Sequence, residues 1–403
     1  MIDRSNPFQP RDPVDPERFT GREKIIKKYR PYLCYERDPI HFMITGKRGI
    51  GKTSLAQYLK KLAERDKKMI GIHVHKEGIT NLDSLIIKIM GNLLDEVQKK
   101  TLADQIFEKA KKYIKSIDIG VVTVTISPTA EELKNVRENF ANFLIDITED
   151  FRDEKGLFII IDDINVLSDT SEFADWYRSF HQELSLISRR SQSEKSFAFV
   201  LTAFPHILAK LYEQNPSFAR MFKDIKLGRL KPDEIRDFFK ERFKEINMAV
   251  ADKRAMDILV YYSSGLPYMM QEIGDAVFYR TYSNQITTNV ALKSIKRAGL
   301  EIGEKYLEPN LLTKLSNDEC IMFRRIIKKI SIDFERNYDV DENYYYFNKT
   351  EFKSKLETDE IEIFPKFLKN ATDLEILELV GNETSEEYKF TNNLYPVYFS
   401  LKE

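Results

Sequence analysis

Five apolar runs punctuate the first 230 positions of the chain: "IHFMITG" (40–46), "MIGIHVH" (69–75), "GLFIIID" (156–162), "FAFVLTAF" (197–204) and "DIKLGRL" (224–230). They are continuous rather than alternating, the pattern of strands covered on both faces of a parallel sheet. Between them, apolar residues recur at helical spacing in "KTSLAQYLKKLAERD", "NLDSLIIKIMGNLLDEVQKK", "TAEELKNVRENFANFLIDITEDF" and "SEFADWYRSFHQELSLISRR". The alternation predicts a doubly wound α/β domain over residues 1–230. "SIDIGVVTVTISP" (116–128) breaks the rhythm, and its internal alternation predicts an inserted strand or hairpin.

Beyond residue 230 the pattern turns helical. "KPDEIRDFFKERFKEI", "DKRAMDILVYYSS", "LPYMMQEIGDAVFYRTY" and "VALKSIKRAGLEIGEKYL" predict a small helical bundle over 231–308. Pro267 opens its third helix, where a missing N–H is harmless. "LEPNLLTKLSNDE" (307–319) reads as a linker into a last domain, 309–403. There, helices at "DECIMFRRIIKKI", "NKTEFKSKL" and "PKFLKNATDLEIL" precede two short strands, "ILELVGNE" and "EYKFTN", joined by a polar turn. Three helices followed by a hairpin is a winged-helix pattern.

Composition narrows the class. With 42% hydrophobic and 32% charged residues, 403 positions can bury the cores of two or three globular domains. Lys plus Arg number 63 against 64 Asp plus Glu, so the overall charge points to no polyanionic partner. Cys34 and Cys320 are too few and too far apart for a disulfide framework, which suits a reducing compartment. The polar, proline-rich "MIDRSNPFQPRDPVDPERF" is no signal peptide. No run approaches the roughly 18 apolar residues of a membrane span. The expectation is a cytoplasmic protein.

The chemistry enters at "GKRGIGKTS". Gly46, Lys47, Arg48, Gly49, Ile50, Gly51, Lys52 and Thr53 satisfy the eight-residue P-loop pattern, with Ser54 next, between a predicted strand and a predicted helix. Its glycines let successive backbone N–H groups turn inward around a phosphate at a helix N-terminus. The expected nucleotide is ATP (or ADP), with Lys52 at the β- and γ-phosphates of ATP and the Thr53 hydroxyl on Mg²⁺. Such a loop needs an acid on a neighbouring strand. "LFIIIDDI" supplies Asp162 for the Mg²⁺ shell and Asp163 to orient or deprotonate the attacking water. Asp at this second position, in place of a longer Glu, bears on the rate of hydrolysis and not on the metal site. Thr202, closing "VLTAF", is a candidate to hydrogen-bond the attacking water or the γ-phosphate. Arg220, in "PSFARMFKDIKL", is a candidate cation for the transferred phosphoryl group, in cis or on a neighbour's nucleotide. His73 and His75 share one face of a strand, but no third ligand is evident, so packing or hydrogen bonding is expected of them rather than metal. The aromatic run "YDVDENYYYF" (338–347) has acidic neighbours and suits packing or protein interaction better than base stacking.

In order, "NPF…DPERFTGRE", "GKRGIGKTS", "FIIIDDI", "VLTAF", "FARMF" and "GLPYMMQEIG", then the winged-helix pattern, resemble P-loop ATPases lying between the AAA+ origin-recognition-like proteins and the STAND signal-transduction ATPases. The archaeal ATPase group is the nearest match. The resemblance implies that Phe19 and Arg22, in "F-x-GRE", lie near the adenine. It also implies that Pro267, in a GxP-like "GLP", packs near the nucleotide from a helical lid. Origin-recognition initiators carry a γ-phosphate-sensing arginine there. This chain has Pro267 and Tyr268, which favours the STAND side. The winged-helix histidine of many STAND members has no counterpart, because the last histidine is His206.

Function divides on the last domain. Gripping DNA requires cationic surface, yet residues 311–403 hold 13 Lys and Arg against 19 Asp and Glu, a net charge of −6. The first expectation is therefore an ATP-driven switch or assembly ATPase acting on a protein partner in trans, with ATP-dependent homo-oligomerisation. The second is a DNA-associated AAA+ ATPase, of initiator, transposition-regulator or defence type, binding DNA through the winged helix and core loops such as "KRGIGK" and "SRRSQSEK". A small-molecule kinase is weaker, since it leaves the lid and winged helix unexplained.

Overall fold

The computed structural model describes residues 5–35, 40–99, 103–119, 124–190, 195–281, 284–337, 345–380 and 386–402. The chain divides into two compact units: Pro13–Gly228, and Met1–Asp12 together with Arg229–Glu403.

The first unit runs α1 (Glu23–Tyr35), β1 (Ile40–Thr45), α2 (Lys52–Lys67), β2 (Ile70–Val74), α3 (Leu82–Gln98), α4 (Ala103–Lys111), β3 (Ile117–Ile119) and β4 (Val124–Ile126). It continues with α5 (Ala130–Glu138), α6 (Phe140–Glu149), β5 (Gly156–Ile161), α7 (Thr170–Arg190), β6 (Ser196–Ala203), α8 (Pro205–Gln214), α9 (Pro216–Ala219) and β7 (Lys223–Lys226). Five strands form one parallel sheet in the order β2-β5-β6-β1-β7. Every residue of β1 and β5 is buried, which is why these strands read as unbroken apolar runs. β3 and β4 pair antiparallel outside that sheet; residues 120–123 of the inserted segment lie outside the described residues.

Two predicted elements differ. The helical periodicity over 129–151 is divided at Asn139, whose backbone angles (φ −116°, ψ 23°) leave the helical region. β7 ends at Lys226 rather than reaching Leu230. Leu227 N still donates to Thr45 O (2.8 Å), after which the chain leaves the sheet. Helix α4 was not expected; it seats Ile106, Phe107 and Ala110 in the core.

The second unit contains α10 (Pro232–Glu245), β8 (Ala249–Val250), α11 (Lys253–Ser263), α12 (Pro267–Arg280), β9 (Gln285–Ile286), α13 (Thr288–Ile302) and α14 (Glu308–Lys314). Then come α15 (Asn317–Asn337), β10 (Phe347–Asn348), α16 (Lys349–Lys353), α17 (Thr358–Asp373), β11 (Leu377–Val380), β12 (Glu387–Phe390) and α18 (Leu394–Leu401). Residues 1–12, expected with the ATPase core, belong here instead. Buried Phe8 packs edge-on against Phe243 (5.4 Å), and Asn6 donates to Asp275 (2.7 Å).

The expected linker at 307–319 is helical. A π turn, Gly303–Leu307, carries α13 directly into α14, and only Leu315 and Ser316 precede α15. Leu307 and Leu311 are buried one turn apart, so this segment cannot swing free. Gly303 is required because a Cβ there would come within 1.9 Å of the Tyr398 ring on α18. Arg229 ties the bundle to the C-terminal segment, donating to Ser264 O (2.6 Å) and Thr391 O (2.5 Å). Asn393 N donates to Ser264 Oγ (2.8 Å). α17 starts at Thr358, seven residues before the predicted start at Pro365, which lies inside the helix. β10 adds a third strand beside the β11–β12 pair, and α18 was not foreseen. Residues 338–344 of the aromatic run and 381–385 of the predicted turn lie outside the described residues. Phe347, from the same run, is buried.

At the N-terminal end of β1, His41 is fully enclosed. Its Nδ1 lies 2.6 Å from the Tyr177 hydroxyl and its Nε2 lies 2.8 Å from His181 Nδ1, with Phe199 stacked at 5.0 Å. Burial, and then the charge of His181, hold its pKa well below the ordinary histidine value. A histidine kept neutral in the folded chain is protonated first in the unfolded chain. Stability is therefore expected to fall as the pH drops below about 6.5, by up to about 1.4 kcal/mol per pH unit. Thermal melting from pH 7.5 to 5.5 should show this loss, and His41→Asn should flatten it whatever its effect at pH 7.5. An unchanged pH dependence in that variant would assign the loss to other groups.

Candidate functional site

β1 hands over to α2 through residues 46–51, and the turn is built as glycine requires. Gly49 and Gly51 have φ of 73° and 93°, in the left-handed region. No side chain caps α2 at Gly51, so the first N–H groups of the helix face the turn, the arrangement that attracts an anion. Ile50 is buried, Lys47 and Arg48 are exposed at the tip, and Thr53 and Ser54 occupy the first turn of α2. Lys52 is buried. Its Nζ donates to Gly46 O (3.1 Å) and Lys47 O (3.4 Å) and lies 4.5 Å from the centre of the Phe204 ring. Burial pulls its pKa below the ordinary lysine value, against the opposing charges of Asp163 and Asp162.

The acid pair follows β5, but β5 is not the neighbour of β1. β6 lies between them, so Asp162 reaches the P-loop across a strand. Thr53 Oγ1 donates to Asp162 Oδ2 (2.9 Å), bringing together the two residues expected to hold Mg²⁺. Burial raises the Asp162 pKa. The adjoining His73 ring and the hydroxyls of Thr202 and Thr53 outweigh it, leaving the carboxyl below its ordinary value and ionised. A carboxylate and a hydroxyl side by side are oxygen donors of the kind a Mg²⁺ ion takes, so the residues fit the metal.

Thr202 lies against the acid pair. It is wholly buried, its hydroxyl donates to Asp162 Oδ1 (2.6 Å) and accepts from Asp163 N (2.8 Å). Its single O–H is used in fixing the acid pair, leaving no donor for a water or phosphate. Asp163 takes left-handed backbone angles (φ 54°, ψ 59°), an uncommon conformation for a residue other than glycine. Its carboxylate accepts from Asn165 Nδ2 (3.1 Å) and lies 3.3 Å from Lys76 Nζ. Asn165 in turn accepts from Phe204 N (3.0 Å), tying the end of β5 to the end of β6.

The segment before α1 lies on the same loop: Arg22, buried with φ 65°, donates to Ile50 O at 3.4 Å. Phe19 stacks on Tyr58 of α2 at 4.8 Å. Arg220 ends α9, its side chain exposed and without a hydrogen bond or ion pair among the described residues. Pro267 is the first residue of α12, in the other unit. His73, Lys76, Asn165 and Phe204 were not expected at this site. Only His73, on an apolar strand beside a histidine of the same face, carried a signal. A cleft of about 630 Å³ lined by Phe140, Trp176 and Phe180 contains none of these residues.

Residues 19–273, well over half of the chain, match the family described as an ATPase domain predominantly from Archaea. The chain belongs to this family. It is a P-loop ATPase. Among solved structures it is similar, at 13% identity, to the Aeropyrum pernix ORC2 protein in ADPNP-ADP complexes, over 93% of this chain and 90% of that one (TM-score 0.49). A point mutant of Thermotoga maritima RuvB is 13% identical over 93% and 94% (TM-score 0.44), and Pyrobaculum aerophilum Cdc6p is 12% identical over 96% of both (TM-score 0.43). No curated protein matches the sequence.

In this archaeal-type ATPase, Lys52→Ala removes the buried cation of the phosphate cradle, a loss of charge-assisted hydrogen bonds each contributing about 1.5–3 kcal/mol. ATP affinity measured by calorimetry should fall at least about tenfold. Asp163→Asn should leave that affinity near the parental value and lower hydrolysis, since Asp162 and not Asp163 touches Thr53. Parental turnover in the Asn variant would move the water-activating role to another residue.

Proposed function

We propose that this ATPase is a nucleotide-driven switch or assembly ATPase whose state is read by a separate protein partner. ATP phosphates sit at the N-terminus of α2 with Lys52 beside them. Mg²⁺ is held by Thr53 and Asp162, and Asp163 orients the attacking water. Thr202 acts by positioning both acids. Phe19 and Arg22 lie on the adenine side, in keeping with their place against α2 and the P-loop. We read α15–α17 with β10–β12 as a winged helix of the STAND type, in a cytoplasmic protein. No helix among the described residues is long and apolar enough to cross a membrane.

The observation that carries the reading is the fate of the cations on α15, the most basic stretch of the C-terminal region. Arg324 pairs with Glu308, and Arg325 with Glu357, Asp359 and Glu360. Lys329 pairs with Glu357 and Glu360, and Lys328 donates to Lys402 O (3.0 Å). Phosphate contacts dominate affinity for DNA, and cations committed to internal carboxylates cannot make them without breaking those pairs. Exposed Arg220, by contrast, is available to a neighbouring subunit's nucleotide.

The full chain tests this. Light scattering should show ATP-promoted association that Arg220→Ala abolishes. Fluorescence anisotropy on duplex DNA should show at most weak, salt-sensitive binding, of the micromolar order of non-specific contacts. Tight binding that persists at moderate salt would put the DNA-associated ATPase first. A monomer with ATP at every concentration would remove the role of Arg220 in trans.

A further inference from the structure

Asp162 has a neighbour that the phosphate chemistry does not call for. His73, on β2, is nearly buried, and its Nε2 faces Asp162 Oδ2 at 3.5 Å. That nitrogen is fully enclosed and makes no hydrogen bond among the described residues. Buried polar atoms almost always have partners, so an enclosed ring nitrogen aimed at an ionised carboxylate calls for a reason. On the other side of the ring, Gln57 Nε2 lies 3.3 Å from His73 Nδ1. An amide N–H donating there makes Nδ1 the acceptor and puts the ring proton on Nε2, the atom facing Asp162. His75 lies against the ring, with centroids 3.9 Å apart, and the His73 carbonyl accepts from Asn92 (3.0 Å), so the side chain and its strand are both held.

We propose that His73 is a positioning residue for the metal site, with Gln57 behind it. It directs an N–H toward the outer oxygen of Asp162, fixing that carboxylate to meet Mg²⁺ beside Thr53. Each Asp162 oxygen then has a fixed neighbour: Thr202 at Oδ1 (2.6 Å), and Thr53 (2.9 Å) and His73 (3.5 Å) at Oδ2. The residues come from β6, α2 and β2, so the carboxylate is constrained from three elements. Partners of this kind orient ligating groups, and their loss weakens metal binding roughly 10–100-fold. The inference rests on Thr53 and Asp162 holding the metal.

The test is a Mg²⁺ titration of nucleotide binding, read with a fluorescent ADP analogue. His73→Ala should raise the Mg²⁺ concentration for half-maximal enhancement about tenfold and leave Mg²⁺-free nucleotide affinity unchanged. His73→Gln, whose amide nitrogen reaches the Nε2 position, should restore most of the loss. Gln57→Leu should shift the titration in the same direction by a smaller factor. An unchanged Mg²⁺ requirement in His73→Ala would overturn the proposal. So would an equal loss of Mg²⁺-free binding, which marks a merely structural role. If binding by the parental protein ignores Mg²⁺ altogether, the metal assignment itself falls, a result distinct from either.

Discussion

The carboxylate of Asp162 is a negative charge held away from water, and the candidate site is arranged around it. A buried charge is costly unless donors surround it. Here Thr53 from α2 and Thr202 from β6 converge on its two oxygens, while His73 from β2 lies beside them. Thr53 is the second residue of α2, so satisfying Asp162 also places the start of that helix and with it the glycine turn that precedes it. Thr202 receives the Asp163 N–H as well, which sets the direction in which the second acid leaves the strand.

Strand order explains why a threonine is needed. Because β6 stands between β1 and β5, the acid pair and the P-loop are separated by the end of a third strand. A small side chain that can both donate and accept, rising from that strand end, bridges the gap by holding both acids. Asn165 performs a similar service on the far side, accepting from Phe204 N while donating to Asp163. The left-handed backbone of Asp163 is held by these contacts together with Lys76. Strain kept at a site by its surroundings is a common feature of catalytic centres.

In the second unit the cations of α15 are met by carboxylates of the same unit. Glu360 is fully buried and is balanced by Arg325 and Lys329, and Glu308 is balanced by Arg324 while accepting from Tyr398. These pairs link α15 to α17, and α14 to α15 and α18. With the π turn and Arg229, they make the helical bundle and the C-terminal segment one compact body, where residues 307–319 had read as a linker between two domains.

The chemistry of the P-loop was legible in the sequence because it is local. Gly49, Gly51, Lys52 and Thr53 take their roles from the spacing of one turn, and a strand ending in Asp162 advertises its acid in the same way. Buried strands were equally legible, since burial on both faces leaves no polar positions to interrupt them. Strand order, the commitment of Thr202 to the acid pair, the approach of His73, the place of Phe8 in the second unit and the pairing of the α15 cations were decided only in the folded chain. Each depends on groups distant in sequence meeting in space: Thr53 and Asp162 are 109 positions apart, and Phe8 reaches Phe243 across the whole of the first unit's sequence. Local spacing specifies what a residue can do. The packing of strands and helices determines which partner uses up its hydrogen-bonding capacity, and so which of its possible roles remains.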